Sequence, residues 1–223
     1  AVDFIKACVV MKKNIIVAGG TGSGKTSLLN AISSLIPNHE RIIVIEDSAE
    51  LQLQQEHVLR METRAPDRYG RGEVTIRDLF RSSLRLRPDR IVIGEVRGGE
   101  AFDLMQAMNT GHSGSMCTVH ANSPVDTCSR LESLCLMSTV EIPLMAVRSQ
   151  VAAALNIIIC CARFPDGSRR LTHISEVLPL NEKGDYRVQD LFVFCVTGRD
   201  GQGRVLGVHA PTGILPSFLP KLK

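Results

Sequence analysis

Short apolar runs alternate with helical patterns over the first two thirds of the chain. The runs at residues 15–18, 42–45 and 91–93 consist almost entirely of Ile, Val and Ala and predict buried strands, and residues 115–119 predict a fourth. Segments with helical periodicity separate these strands. We therefore expect a mainly parallel sheet with helices on both faces.

Capping and helix-breaking residues indicate where the helices lie. Ser or Thr at an N-cap satisfies a free backbone N–H group, whereas Pro and Gly end helices. The predicted helices are, in chain order, 25–36 before Pro37, a helix from the Thr75 cap through Leu84 toward Arg87 before Pro88, 98–109 before Gly111, and one that begins at Ser123 and Pro124.

The last third of the chain is rich in strand signals. Residues 157–162 and 171–177 flank the turn residues 165–168 and predict a β-hairpin, and a second hairpin is expected around residues 200–203. Two hairpins late in an α/β sequence predict antiparallel strands added at one edge of the sheet. The whole chain, residues 1–223, is expected to form one α/β domain.

Composition narrows the class of protein. Hydrophobic residues make up 44% of the 223 residues and charged residues 22%, which excludes a disordered or fibrous chain. A net charge of +3 is too small to indicate a general polyanion binder. The apolar-rich uncharged stretch 149–162 is shorter than the roughly 20 residues of a membrane-spanning helix. We expect the seven cysteines to be reduced core residues, since they include no C-x-x-C pair.

The strongest chemical signal lies between the first predicted strand and the first predicted helix. Residues 19–26, GGTGSGKT, match G-x-x-x-x-G-K-[ST], a loop whose backbone N–H groups converge on phosphate oxygens. The positive end of the helix dipole adds to the same point. We expect Lys25 to reach the β- and γ-phosphates of ATP and Thr26 to ligate Mg²⁺. The predicted cofactor-binding residues are Gly20, Thr21, Gly22, Ser23, Gly24, Lys25, Thr26 and Ser27.

Acidic residues follow two of the apolar strands. Glu46 and Asp47 come after residues 42–45, and Glu95 comes after residues 91–93. Hydrolysis requires one carboxylate on the Mg²⁺ side and one that polarises the attacking water. We assign activation of the attacking water to Glu46. We assign Glu95 to the Mg²⁺ side of the site, where it would contact the ion through a bound water. The reverse assignment and a capping role for Asp47 stay open.

Two histidines flank the predicted strand at residues 115–119. Cys117 and His120 are an odd number of positions apart and point to opposite faces of a regular strand, which argues against a zinc site with His112. His120 is expected at the far end of the strand, where it can bond the γ-phosphate and report its hydrolysis. An ordinary structural histidine is the alternative.

Ten arginines lie between residues 60 and 97. Three recur at four-residue spacing on one face of a predicted helix, Arg77, Arg81 and Arg85. Three more lie among Gly and Pro residues and predict an exposed loop, Arg64, Arg68 and Arg71. An arginine from such a loop could complete the phosphate site of a neighbouring subunit, and a solvated surface is the alternative for the helical stripe.

Four ordered motifs resemble the secretion ATPases of type II, type IV and pilus systems. They are residues 19–26, the acid box at 45–53, the segment 94–101 and the histidine box at 118–123. The resemblance spans nearly all the chain and is greatest to the CpaF/TadA branch, which powers tight-adherence pilus assembly. The four-cysteine zinc motif of the type II enzymes is absent from the sequence, which favours the CpaF/TadA or the conjugative type.

This resemblance implies a RecA-like P-loop NTPase fold and a homo-hexamer that hydrolyses Mg-ATP between subunits. It implies a cytoplasmic protein, peripheral to the inner membrane through the platform proteins of the machine. The catalytic set would be Glu46, Glu95, Lys25 and His120, and the resemblance implies a site role for His112 as well. Because the chain starts just before the first core strand, we expect the C-terminal motor domain alone, with weak nucleotide affinity and slow turnover.

Two other classes can use the same core. A nucleic-acid translocase would need base-stacking side chains, but the chain has no Trp, two Tyr and seven Phe, so no direct nucleic-acid partner is expected. A nonhydrolysing nucleotide-binding subunit is disfavoured because both Glu46 and Glu95 are present. A conjugative type IV secretion ATPase is the main alternative to the pilus motor.

Overall fold

A computed structural model of the chain describes residues 1–219, and its nine strands form a single sheet. The strands are β1 (Ile15–Gly19), β2 (Ile42–Glu46), β3 (Val58–Glu62), β4 (Arg90–Ile93), β5 (Met116–Val119), β6 (Ile157–Arg163), β7 (Arg169–Leu178), β8 (Arg187–Arg199) and β9 (Val205–Pro211). The helices are α1 (Val2–Val10), α2 (Lys25–Ser33), α3 (Ile76–Ser83), α4 (Glu100–Asn109), α5 (Pro124–Leu136) and α6 (Leu144–Ala154).

The sheet has a parallel half and an antiparallel half. The strand order is β3-β2-β4-β5-β1-β6-β7-β8-β9, in which the first six strands are parallel and the last three are antiparallel additions. β1 therefore lies between β5 and β6, and β5 separates it from β4. The predicted α/β class, with a mainly parallel sheet and late hairpins, is confirmed.

Both faces of the parallel half are buried. Ile16 and Ala18 of β1 pack with α3 to α6 on one face, whereas Ile15 and Val17 pack with α1 and α2 on the other. All residues of β1, β2, β4 and β5 are buried, as expected for parallel strands covered by helices on both sides. No helix among residues 1–219 is long and apolar enough to cross a lipid bilayer.

The helix caps and the hairpin turns lie largely where the sequence predicts them. The Thr75 hydroxyl accepts a hydrogen bond from the Asp78 N–H and starts α3, and Ser123 accepts from the Asp126 N–H ahead of α5. The hairpin between β6 and β7 closes with the Phe164 N–H on the Ser168 carbonyl at 2.8 Å. The second predicted hairpin joins β8 to β9.

Several predicted details are wrong. α2 ends at Ser33, and Leu35 and Ile36 continue with tighter i to i−3 hydrogen bonds. α3 also ends early, at Ser83, and a 3₁₀ turn follows at Leu84–Leu86. Arg85 lies in that turn and so does not continue the helical face of Arg77 and Arg81. Cys195 is exposed, whereas the other six cysteines are buried as expected; all seven are free.

Candidate functional site

Glycines shape the loop between β1 and α2. Gly22 and Gly24 have φ of +68° and +96°, a region in which a side chain is strained. Gly19 is constrained by space, because a Cβ there would overlap the Cys161 carbonyl oxygen. No side chain caps α2 at its N-terminus. The N–H groups of the first turn are therefore available to an anion.

The ammonium of Lys25 reaches back across this loop. Its Nζ donates to the Gly20 carbonyl at 3.1 Å and lies 3.4 Å from Nε2 of His120. Lys25 is 8% exposed, and desolvation lowers its pKa, an effect that the nearby Glu95 carboxylate opposes. A desolvated cation beside free N–H groups makes this point strongly attractive to phosphate.

The other loop residues take different positions. The Ser23 hydroxyl donates to the Gly20 carbonyl at 2.8 Å and so holds the loop together, while Thr21 is exposed at its tip. Thr26 and Ser27 lie on different sides of the first turn of α2, since each lines a different pocket. The loop can therefore bind a ligand that extends over both sides of the helix.

The predicted acids converge because four parallel strands end at one edge of the sheet. Glu46 ends β2, Glu95 follows β4 and His120 follows β5, all beside the loop after β1. Glu46 and Glu95 border a cavity of about 130 Å³ that we call the acid pocket. Its lining residues are Thr26, Glu46, Asp47, Ser48, Glu50, Gly94, Glu95 and Arg97.

Glu46 is the most enclosed carboxylate of the acid pocket. It is 4% exposed, and its Oε1 accepts from the N–H groups of Glu50 at 3.1 Å and Leu51 at 3.0 Å. Burial raises the pKa of Glu46, and these two hydrogen bonds oppose the rise. A Cβ on Gly94 would lie 3.1 Å from Cγ of Glu46, so this glycine leaves room for the carboxylate.

The capping role that the sequence left open for Asp47 belongs to the neighbouring Glu46. The carboxylate that secures the segment after β2 belongs to Glu46. Asp47 instead pairs with Arg97 at 3.1 Å and lies 3.4 Å from the Thr63 hydroxyl. Asp47 is therefore part of the charged rim of the acid pocket.

Glu95 lies at the centre of a chain of charged contacts. Its Oε1 is 2.9 Å from Nε2 of His120, and its Oε2 is 2.6 Å from Nη2 of Arg97. The hydrogen bond and charge of Glu95 raise the pKa of Arg97 above its ordinary value. Nε2 of His120 also faces Lys25. Because one ring nitrogen cannot donate to Glu95 and accept from Lys25 together, the tautomer of His120 decides which contact forms.

His112 does not join this group. It precedes β5, so it lies at the opposite edge of the sheet from His120, which follows the strand. Its Nδ1 is buried and has no partner among residues 1–219, and its carbonyl accepts from the Ser115 hydroxyl at 2.8 Å. This geometry places His112 away from the group to which the resemblance assigned it, whereas His120 lies at the strand end where it was expected.

The arginines of residues 60–97 divide into different roles. Arg77 and Arg81 both pair with Asp103 of α4, at 2.6 Å and 3.1 Å. Arg90 is fully buried against Glu40. Residues 64–73 are exposed, as expected for the loop that carries Arg64, Arg68 and Arg71. Arg77 and Arg81 of the helical stripe therefore make contacts within the chain, whereas the loop lies exposed on the surface.

Two arginines at the site were missed in the sequence. Arg97 follows Glu95 by two positions, and that spacing on a strand end is a signal that could have placed it beside the acid. Arg169 donates from Nε to the Gly22 carbonyl at 2.8 Å, although 147 positions separate the two residues. No local sequence pattern predicts this second contact, because it depends on the position of β7 in the sheet.

Comparisons with known proteins agree with this geometry. A family model described as "Type II/IV secretion system protein" matches residues 2–182. A Mycobacterium tuberculosis relative, provisionally named a conjugal transfer protein, is 43% identical over 175 residues, covering 78% of this chain and 49% of its own length. The chain thus spans about half the length of this curated relative.

Solved structures show the same fold. The VirB11 ATPase of the Brucella suis type IV secretion system, in complex with sulphate, matches with a TM-score of 0.70 and 32% identity, over 78% of this chain and 51% of its own. The pilus retraction motor PilT with bound ADP matches with a TM-score of 0.56 and 27% identity, over 77% and 49%. The fold is therefore that of the RecA-like P-loop secretion ATPases.

Proposed function

Because this chain belongs to the type II/IV secretion system protein family, we propose that it is the motor part of a secretion ATPase that binds Mg-ATP and hydrolyses it. The observation that carries the proposal is the convergence of Lys25, Glu46, Glu95 and His120 around the loop after β1. A structural role alone would not require charged side chains from four separate segments at one partly open point.

The residues present fit a nucleoside triphosphate. The uncapped N-terminus of α2 and the desolvated Lys25 suit phosphate groups, and the two solved relatives bind sulphate and ADP. On this proposal the β- and γ-phosphates replace the Gly20 carbonyl as the partner of the Lys25 ammonium.

The residues also fit Mg²⁺ held mainly by the nucleotide. Among residues 1–219 no group of three His, Cys, Asp or Glu side chains is spaced to hold a metal alone. Thr26 lines the acid pocket with Glu95, which suits an ion that keeps several waters and takes phosphate oxygens as its other ligands. When bound, the ion would neutralise charge that develops on the phosphates.

Glu46 is the residue we propose for water activation. Its Oε1 is fixed by two backbone N–H groups, and its Oε2 accepts no hydrogen bond from residues 1–219. Both oxygens of Glu95, in contrast, already face His120 or Arg97. An acid with a raised pKa and one free oxygen is the better proton acceptor, which leaves Glu95 for the metal side and His120 as the contact to the γ-phosphate.

The whole protein would work as a homo-hexamer, with an arginine of the exposed 64–73 loop reaching the neighbouring site. We propose a cytoplasmic motor, peripheral to the inner membrane, that acts on platform proteins of a tight-adherence pilus system. A conjugative type IV system is supported equally, by VirB11 and by the mycobacterial relative. Loss of surface pili against loss of DNA transfer in a deletion strain would separate the two.

The proposal is tested by ATP turnover of the full-length protein. Glu46→Gln should lower turnover roughly 10²- to 10⁴-fold, the usual contribution of a general base, while Mg-ATP binding is retained. Glu62→Gln is the matched control, since Glu62 pairs in register with Glu46 on β3 and is exposed. Undiminished turnover in Glu46→Gln would overturn the assignment of the base.

A further inference from the structure

Arg97 connects two of the carboxylates that line the acid pocket. Its Nη2 is 2.6 Å from Oε2 of Glu95, and its Nη1 is 3.1 Å from Oδ2 of Asp47. The two contacts use different nitrogens of one planar guanidinium, so a single side chain pairs with both acids. We call this arrangement the Arg97 bridge.

The two acids of the bridge differ in exposure. The Glu95 side chain is 17% exposed, whereas the Asp47 side chain is 45% exposed. Solvent screens the more exposed ion pair more strongly, and the contact with Glu95 is also the shorter one. Glu95 is therefore the stronger partner of Arg97, and Asp47 is the weaker one.

The bridge leaves Glu95 without an unpaired oxygen. Its Oε1 faces Nε2 of His120 at 2.9 Å, and Arg97 takes its Oε2. A guanidinium at Oε2 competes with any other cation for the charge of this carboxylate. Arg97 must therefore turn away from Glu95 when Glu95 serves the Mg²⁺ side of the site.

The backbone at Arg97 is fixed, whereas its side chain is exposed. Oε1 of Glu100 accepts from the N–H groups of Arg97 at 2.7 Å and Gly98 at 2.8 Å. A Cβ on Gly99 would lie 3.0 Å from the Met137 carbonyl oxygen, so the chain packs closely against the segment after α5. The Arg97 side chain is 64% exposed. The guanidinium can therefore move while the backbone stays in place.

Space for this movement lies on the outer side of the bridge. A depression of about 440 Å³, which we call the outer pocket, adjoins the acid pocket and has residues 63–66 and 73–76 as its other walls. Asp47 and Arg97 line both pockets, whereas Glu95 lines the acid pocket alone. A guanidinium that turns toward the outer pocket therefore keeps Asp47 and leaves Glu95.

We propose that Arg97 is a positioning residue that holds Glu95 until Mg-ATP binds and is then retained by Asp47 alone. This inference rests on the proposed function, because it concerns the carboxylate assigned to the metal side. Asp47 provides the second position for the guanidinium. The Arg97 bridge thereby couples the release of Glu95 to occupation of the acid pocket.

Calorimetric titration of ATP into the full-length protein, once with excess Mg²⁺ and once with EDTA, tests the proposal. The Kd in EDTA divided by the Kd in Mg²⁺ measures how much the ion strengthens ATP binding. Arg97→Gln frees Glu95 and should raise this ratio by up to about fivefold, which corresponds to about 1 kcal/mol. Asp47→Asn removes the second position and should lower the ratio by a similar factor, because Arg97 then stays on Glu95.

A double variant separates the bridge from a general effect of charge. Removing one positive or one negative charge would also change the attraction of the site for Mg²⁺, but two such independent effects add. If Asp47 acts by retaining Arg97, the double variant with Asp47→Asn and Arg97→Gln should have the same ratio as Arg97→Gln alone. Additive effects of the two substitutions would overturn the proposal.

Asp89→Asn is the matched control for Asp47→Asn. The Asp89 side chain is 49% exposed and pairs with Lys12 at 3.9 Å, at the amino ends of the strands. Asn keeps an acceptor for the Arg41 N–H, to which Asp89 is bonded. The control should have the ratio of wild type, and a melting curve for each variant confirms that it is folded.

The outcomes separate the bridge from the proposed function. A ratio that does not rise in Arg97→Gln, or does not fall in Asp47→Asn, would overturn the bridge while ATP binding stands. Equal ATP affinity of wild type in Mg²⁺ and in EDTA would overturn the metal-side assignment of Glu95 and the bridge with it. If wild type binds ATP in neither condition, the proposed function is overturned as well.

Discussion

Polar clusters lie at both ends of the same parallel strands, and they differ in how completely the chain satisfies them. At the amino ends, Arg90, Glu40 and Asn14 are at most 5% exposed. At the carboxyl ends, Glu95 and His120 belong to a cluster that is open to solvent on one side, with the His120 side chain 42% exposed.

At the amino ends, hydrogen bonds within the chain account for the charges. Arg90 pairs with Glu40 through two nitrogens and donates to the Val9 carbonyl at 2.6 Å. Asn14 accepts from the N–H groups of Gly114 at 2.7 Å and Ser115 at 3.2 Å. Buried polar groups satisfied in this way fix the strands in register and leave nothing for a ligand.

At the carboxyl ends, the rest of the chain stabilises the charged forms of Glu46 and Lys25 less well. Desolvation raises the pKa of Glu46 and lowers that of Lys25, so each is shifted toward its neutral form. Shifts of this kind at a cleft are typical of functional sites. The comparison shows that burial of a charge does not by itself indicate function. A buried charge indicates function when hydrogen bonds and ion pairs within the chain satisfy it only in part.

The largest stability effect should come from breaking the amino-end cluster. Arg90→Met leaves the buried Glu40 with only the more exposed Lys12, 3.7 Å away, and should lower the free energy of unfolding by about 3–5 kcal/mol in urea titrations. Arg97→Met removes two ion pairs at the exposed carboxyl end and should cost at most about 1 kcal/mol, since the Arg97 side chain is 64% exposed. Equal losses of stability in Arg90→Met and Arg97→Met would contradict the difference between the two ends of the strands.

A smaller loss is expected at Asn14. Asn14→Ala leaves the N–H groups of Gly114 and Ser115 without their acceptor. Loss of this neutral acceptor should lower the free energy of unfolding by about 1–3 kcal/mol. The control is Asn38→Ala, because Asn38 also makes two hydrogen bonds, to Glu56, but is exposed. The same urea titration should show a change below about 0.5 kcal/mol for the control. A neutral Asn14→Ala would show that this network is dispensable.

The smallest effect, and the only one of opposite sign, is expected for Glu46→Gln. Burial raises the folded pKa of Glu46 above its ordinary value of 4.5, so its contribution to stability is present below that pH and is lost as pH rises through the folded pKa. Gln keeps the acceptor for Glu50 and Leu51 without the charge.

Glu46→Gln should therefore unfold at a higher urea concentration than wild type at pH 7, and the advantage should shrink toward pH 4. Glu62→Gln serves again as the exposed control and should follow wild type at both pH values. A variant less stable than wild type at pH 7 would mean that the charge of Glu46 is well accommodated in the fold.

The sequence revealed those parts of the fold and site that local patterns determine. The strands β1, β2 and β4 and the glycine loop follow from contiguous residues, and Glu46 and Glu95 could be placed because strand ends meet at one edge. β3 was missed because its residues are exposed or half-buried and include Arg60 and Glu62.

The rest depended on contacts between distant segments. The burial of Arg90 depends on Glu40, fifty positions away, and on α1, whose existence the sequence did not indicate. The contact of Arg169 with Gly22 depends on the position of β7 in the sheet. α6 was missed because its apolar residues continue directly into β6, so periodicity did not separate the two elements.

The central claim is that the loop after β1 binds the phosphates of a nucleotide through Lys25. The most direct measurement is calorimetric titration of Mg-ATP into the full-length protein, its Lys25→Ala variant and the control Lys183→Ala, which changes an exposed lysine in the turn after β7. We expect saturable binding in wild type and the control, and binding at least roughly 10-fold weaker in Lys25→Ala. Unchanged affinity in Lys25→Ala, or no binding by wild type, would contradict the account.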